Sequence, residues 1–141
     1  MKQDKAAILI KKAALEFDKL ANAVLEEYGL TIAQYKVIKY LYEEGDRGVR
    51  IVDLEKYYSM SHPTAIGIVQ NLEKKGLAEY CENPNHARSR FIAPTKEALR
   101  RKDELEAIGE KLEASFTEKL EGDEQAELIR LLQKVMDISE E

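Results

Sequence analysis

Between Ser61 and Gly76, His62, Pro63, Ile66, Gly67, Gln70 and Asn71 recur at spacings of three and four, which puts them on one side of a helix. That side is short and almost uncharged. His62, Gln70 and Asn71 can exchange hydrogen bonds, and Gly67 lets a backbone come close to another surface. Such a face belongs either to a structural helix or to one that enters a DNA groove. Catalytic chemistry finds no comparable cluster. The two histidines, His62 and His86, and the one cysteine, Cys81, are too widely separated for metal-ligand spacing, so no metal and no cofactor are expected. No phosphate-cradling loop or nucleophile motif is present, which argues against an enzyme.

The helix that must hold these residues carries its own boundaries. Ser61 is an N-cap residue, Pro63 falls in the first turn where its missing N–H costs nothing, and Met60 and Ala65 stand at hydrophobic-staple positions. Lys74 and Lys75 form a cationic last turn before Gly76. Ala65, Ile68, Val69 and Leu72 form the stripe to be buried.

Around it, residues 4–28 read as a helix with Ile10, Ala13, Ala14, Phe17, Leu20, Ala21, Val24 and Tyr28 on one side. Thr31, with Gln34 at the capping-box position, starts a second helix that runs to Glu44. Gly45 to Gly48 is turn material, and a short helix from Ile51 to Tyr58 presents Leu54 and Tyr58 inward. Only Ser59-Met60 separates it from Ser61, a spacing that fits a helix-turn-helix. Leu77 to Glu82 and Arg90 to Ala93 read as strands around a polar tip, residues 83–89. The whole is mainly α with a small β-hairpin wing: a winged helix-turn-helix with terminal helices. From Pro94-Thr95 a long helix is predicted, with Leu99, Leu105, Ile108, Leu112, Phe116 and Leu120 on its apolar side. Gly122-Asp123 breaks it before a last helix from Glu124 to about Ser139. The expected division is 1–30 as an N-terminal dimerisation helix, 31–98 as the winged helix-turn-helix and 99–141 as C-terminal dimerisation helices. The wide apolar stripes at both ends lack a partner in sequence, and pairing with a second copy would cover them.

The chain of 141 residues is 44% hydrophobic and 35% charged, enough for one core with well-solvated faces. It contains no apolar run of membrane-spanning length. The lone cysteine suits a reducing cytoplasm. The net charge of −5 hides an uneven distribution: residues 31–101 hold 12 Lys/Arg against 9 Asp/Glu, whereas residues 102–141 hold 5 against 13. The local balance governs phosphate binding.

Leu30-Thr31-Ile32-Ala33-Gln34-Tyr35-Lys36-Val37-Ile38, Met60-Ser61 with Thr64, Val69 with Leu72-Glu73-Lys74-Lys75-Gly76-Leu77, and the wing from Asn83-Pro84 through Arg88 to Thr95 resemble, in order and spacing, the multiple-antibiotic-resistance regulator (MarR) family. The likeness implies a homodimer that binds pseudo-palindromic double-stranded DNA, often as a repressor, and often released by a small phenolic effector or by oxidation. It implies that His62, Pro63, Ile66, Gly67 and Gln70 face base edges in the major groove. Gln70 suits adenine, Ile66 or Pro63 a thymine methyl, and His62 a guanine acceptor. Ser61, Thr64, Asn71 and Lys74 would hold phosphates. Ile66 could instead complete the core, and Gly67 could be a contact between helices. Arg88 would enter a narrow minor groove, with Arg90 and His86 at the backbone. An effector crevice is expected between the first, second and fifth helices, with Phe17, Tyr28 and Tyr35 as candidates. The chain departs from the family in having Ile66 and Gly67 where Ser or Thr and then Arg are frequent, and His86 where the wing usually has Asp. The alternative is a winged-helix protein-interaction module without DNA binding.

Overall fold

The computed structural model describes residues 5–82 and 90–138, and its elements follow the expected order. They are α1 (Ala6–Glu26), α2 (Ile32–Glu44), a 3₁₀ turn (Gly45–Arg47), α3 (Ile51–Tyr58), α4 (His62–Lys74), β1 (Ala78–Glu82), β2 (Arg90–Pro94), α5 (Lys96–Arg100), α6 (Lys102–Phe116) and α7 (Gly122–Val135). Helix starts are where the capping chemistry puts them. The Thr31 hydroxyl accepts from the Gln34 N–H at 3.1 Å, and the Gln34 side chain accepts from the Thr31 N–H at 3.3 Å. Ser61 caps α4 by accepting from the Thr64 N–H at 3.3 Å. At the far end of α4, Gly76 takes φ of +75°, a conformation that costs a side-chain-bearing residue energy, and the Leu77 N–H closes on the Leu72 carbonyl at 2.9 Å.

Ala65, Ile68, Val69 and Leu72 are the buried residues of α4, as its periodicity predicts. They share one core with Val37, Ile38 and Leu41 of α2, Leu54 of α3, Ile92 of β2, Leu105, Ile108 and Leu112 of α6, and Ala21 and Leu25 of α1. Leu25 is 1% exposed and lies outside the expected stripe of α1. Two tyrosines of α2, two turns apart, tie this core together. Tyr42 donates to the Ala98 carbonyl at 2.6 Å, and burial pushes its phenol up to about 12. The Tyr35 hydroxyl donates to the Leu105 carbonyl at 2.6 Å and accepts from the Gly109 N–H at 2.9 Å. Those two groups are four residues apart, the pair that a regular helical turn joins directly.

Several element ends shift by a few residues, and two breaks between helices differ from the expectation. The single long helix after the wing is two helices, because Arg101 leaves helical geometry at φ −95°, ψ 8°. Its N–H is shared among carbonyls of α5, so the chain turns there without losing its bonds. The break placed at Gly122-Asp123 lies earlier, at residues 117–121. Gly122 and Asp123 form the first turn of α7, behind a capping box between Glu121 and Glu124. A carboxylate capping the N-terminus outweighs the low helix propensity of one glycine in a first turn. Residue 98, the expected end of the winged helix-turn-helix, is a buried alanine of α5.

The hairpin pairs Ala78 with Pro94 through Glu82 with Arg90. A third chain segment, not foreseen, joins its edge: Val49 and Ile92 exchange N–H···O bonds of 2.8 and 2.7 Å. Gly48 makes this possible. Its φ of +74° and ψ of 171° lie in a region essentially reserved for glycine, and a Cβ there would stand 2.9 Å from Phe91 Cβ and 3.1 Å from Cys81 Sγ. Gly48→Ala should therefore destabilise the fold by about 3 kcal/mol, strain and overpacking together, read as a lower midpoint in urea unfolding. A midpoint unchanged from wild type would show that the turn relaxes freely. Burial, with Glu79 beside it, pushes the Cys81 thiol up, consistent with a packed residue and not a reactive thiolate.

Candidate nucleic-acid interface

The geometry of α4 sorts its outer face. His62, Pro63, Thr64, Gln70, Asn71 and Lys74 are exposed, and Ser61 is exposed beside them. Ile66 is half-buried but does not join the core cluster, so it does not complete the core. A Cβ on Gly67 would meet nothing within 4 Å. The reading of Gly67 as a contact between helices is therefore set aside, and what remains is open space beside the backbone.

Three polar side chains are already engaged. The Ser61 hydroxyl donates to Thr64 Oγ1 at 2.9 Å, which leaves the Thr64 hydrogen free to point outward. His62 Nδ1 lies 3.1 Å from Glu55 Oε2 on α3. Arg50, at the start of α3, folds back on its own helix: its guanidinium donates to Asp53 at 3.1 and 3.3 Å and its N–H to the same carboxylate at 3.0 Å. Burial acts to raise the Asp53 carboxyl, but the Arg50 bonds outweigh it and hold the group below its ordinary value. In the wing, the Arg90 guanidinium stacks over the Tyr80 ring at 3.9 Å from its centroid. His86 and Arg88 lie outside the described residues.

The left-handed residue between α3 and α4 is Ser59, at φ 51° and ψ 46°. It sets the sharp turn of the helix pair with no glycine to announce it.

Phe17, Tyr28 and Tyr35 are not brought together. Tyr35 is 7% exposed and its hydroxyl is committed to α6. Phe17 packs edge-to-face on Phe116 at 5.3 Å and lines an apolar cleft of about 460 Å³ with Leu9, Ala13, Leu128 and Leu132, which Tyr28 and Tyr35 do not reach. A larger cleft of about 770 Å³ runs between α2, α6 and the start of α7, lined by Lys39, Glu43, Glu106, Glu110 and Glu113. α7 buries none of its residues: Leu131 is 44% and Val135 72% exposed. Among the described residues no group of His, Cys, Asp and Glu could hold a metal ion, and no helix is long and apolar enough to cross a membrane.

A helix-turn-helix with an exposed, close-approaching second helix and a hairpin beside it defines a winged-helix DNA-binding protein. The model of the MarR family matches residues 28–89. A cysteine-to-serine mutant of Escherichia coli MarR complexed with operator DNA is 28% identical, with a TM-score of 0.78 over 92% of this chain and 91% of that one. The Staphylococcus aureus MepR–DNA complex is 21% identical, with a TM-score of 0.81 over 96% and 98%. Bordetella bronchiseptica BpsR, whose DNA binding is regulated by 6-hydroxynicotinic acid, is 20% identical, with a TM-score of 0.79 over 96% of both chains. At those identities the last two speak for the fold alone. Comparison with curated proteins gives no match. The MarR family model over the winged helix and the E. coli MarR fold over nearly the whole chain agree, and they make this a MarR-like winged-helix, DNA-binding transcription regulator.

Proposed function

We propose that this regulator works in the cytoplasm as a homodimer that represses transcription from a pseudo-palindromic operator. The observation that carries this reading is the uncovered apolar surface of the terminal helices. α7 turns Leu128, Ile129, Leu131 and Val135 to solvent, and α1 adds Ile8, Leu9, Ile10 and Leu15. A monomer leaving so much apolar surface in water is disfavoured, and a two-fold axis covers both copies at once. Two α4 helices set about 34 Å apart would then enter successive major grooves.

On the DNA, His62, Pro63, Ile66, Gly67 and Gln70 face base edges, and Ser61, Thr64, Asn71 and Lys74 hold phosphates. His62 Nδ1 is held by Glu55, which orients the ring and leaves Nε2 for a base edge such as a guanine acceptor. Arg88 is assigned to the minor groove, with His86 and Arg90 at the backbone. A small aromatic effector completes the proposal. The apolar cleft beside Phe17 suits such a ring better than the carboxylate-lined one, and because it shares Leu9, Ile10 and Leu128 with the docking face, a ring bound there would lie against the partner copy.

Fluorescence anisotropy with a duplex of DNA from upstream of the protein's own gene tests this. With about 6–10 phosphate contacts, affinity should fall by roughly 10³–10⁵ between about 50 and 200 mM salt. Binding that ignores salt, or no binding at all, would favour a protein-interaction module.

A further inference from the structure

Lys74 and Lys75 are neighbours in sequence with different surroundings. Both are exposed at the end of α4. Lys75, the C-cap of α4, sends its ammonium back to the opposite end of the domain's first turn. It donates to Gln34 Oε1 at 2.5 Å and to the Gly29 carbonyl. Gln34 is 6% exposed, and the same Oε1 accepts the Thr31 N–H that caps α2. Gly29 closes the turn after α1, with its N–H on the Glu26 carbonyl at 3.0 Å. One ammonium therefore joins the C-terminal end of α1, the N-terminal cap of α2 and the C-terminal end of α4. Its charge meets the negative pole of α1, whose last turn holds no basic residue of its own.

We infer that Lys75 is a positioning residue: it fixes the recognition helix α4 on the α1–α2 corner and so couples it to the helix that carries the apolar docking face. The inference rests on the DNA-binding dimer proposed above. Lys75 acts through Gln34 and Gly29 and not through phosphate. Removing it loosens the angle at which α4 meets the groove while leaving the count of DNA charges contacted unchanged.

The experiment measures affinity for the same upstream duplex over a series of salt concentrations, with folding followed by circular dichroism. Wild type is compared with Lys75→Met, Lys75→Arg, Lys74→Met, Gln34→Met and the Gln34/Lys75 double methionine variant. Lys75→Met should weaken binding about tenfold at every salt concentration, within the range usual for coupled sites. Its salt slope should match wild type, whereas Lys74→Met, which removes one phosphate contact per protomer, should lose about two units of slope from the dimer. Lys75→Arg should recover most of the affinity, and the double variant should lose no more than the larger single one. If Lys75→Met does not fold, Lys75→Gln, which keeps an N–H donor without the charge, takes its place in the same comparison. A slope lowered as in Lys74→Met, additive losses, or an affinity within about twofold of wild type would each overturn the inference while wild type still binds. A wild-type protein that ignores the duplex would overturn the functional proposal, and the inference with it.

Discussion

Gly67→Leu is expected to make the protein more stable and a much poorer DNA binder. The two effects come from the same open space. Glycine inside a helix costs about 1 kcal/mol relative to a good helix former, and a Cβ built at position 67 meets no protein atom within 4 Å. Leucine therefore leaves this first atom of its side chain unopposed, and the melting temperature should rise by about 4 °C. In the complex, that space is where the backbone of α4 would come nearest the base edges. A leucine there lifts the helix from the groove and loses about two direct contacts at 1–3 kcal/mol each, roughly a hundredfold in affinity. Thermal unfolding and anisotropy on one preparation read both signs. If stability rises and affinity holds, the α4 backbone does not approach DNA at this point, and recognition runs through another part of the face.

The second large effect is expected from charge on α7. Leu131 and Val135 are four residues apart on one exposed side, and neither supports the core. Leu131→Asp with Val135→Asp should leave the helical content of the chain unchanged, because the replaced side chains already face solvent. Paired across a two-fold axis, however, four carboxylates would be brought together in an apolar contact, which is strongly unfavourable. Sedimentation should show a monomer. Each half-site would then be bound alone, and the loss of bivalent attachment should cost about 10²–10⁴ in affinity for a two-half-site duplex. Sedimentation as a dimer with undiminished affinity would move the docking surface away from α7.

Much of the fold is written locally in the chain. The α4 boundaries come from Ser61, Pro63 and Gly76, and its buried stripe from a 3.6-residue period that packing obeys at every position. The α2 capping box is likewise a matter of two residues three apart. What sequence did not reveal depends on partners distant in the chain. Val49 pairs with Ile92 through one residue's backbone, too short a segment for alternation to mark. Nothing local makes Lys75 differ from Lys74; only the fold brings Gln34 and Gly29 to one of them. Ser59 turns left-handed without glycine, and the break at Arg101 lies within an uninterrupted helical pattern. The exposed face of α4 was legible as a face, while the direction of His62 needed Glu55, seven residues away on another helix.

The two tyrosines of α2 have a mechanical consequence. Tyr42 fastens α2 to α5 on one side of the Arg101 break, and Tyr35 fastens it to α6 on the other. The break looks like a hinge but is splinted, so α2, α5 and the first half of α6 turn as one lever. A displacement of α6 would therefore pass undamped to α2, and from α2 to the recognition helix through the core that they share.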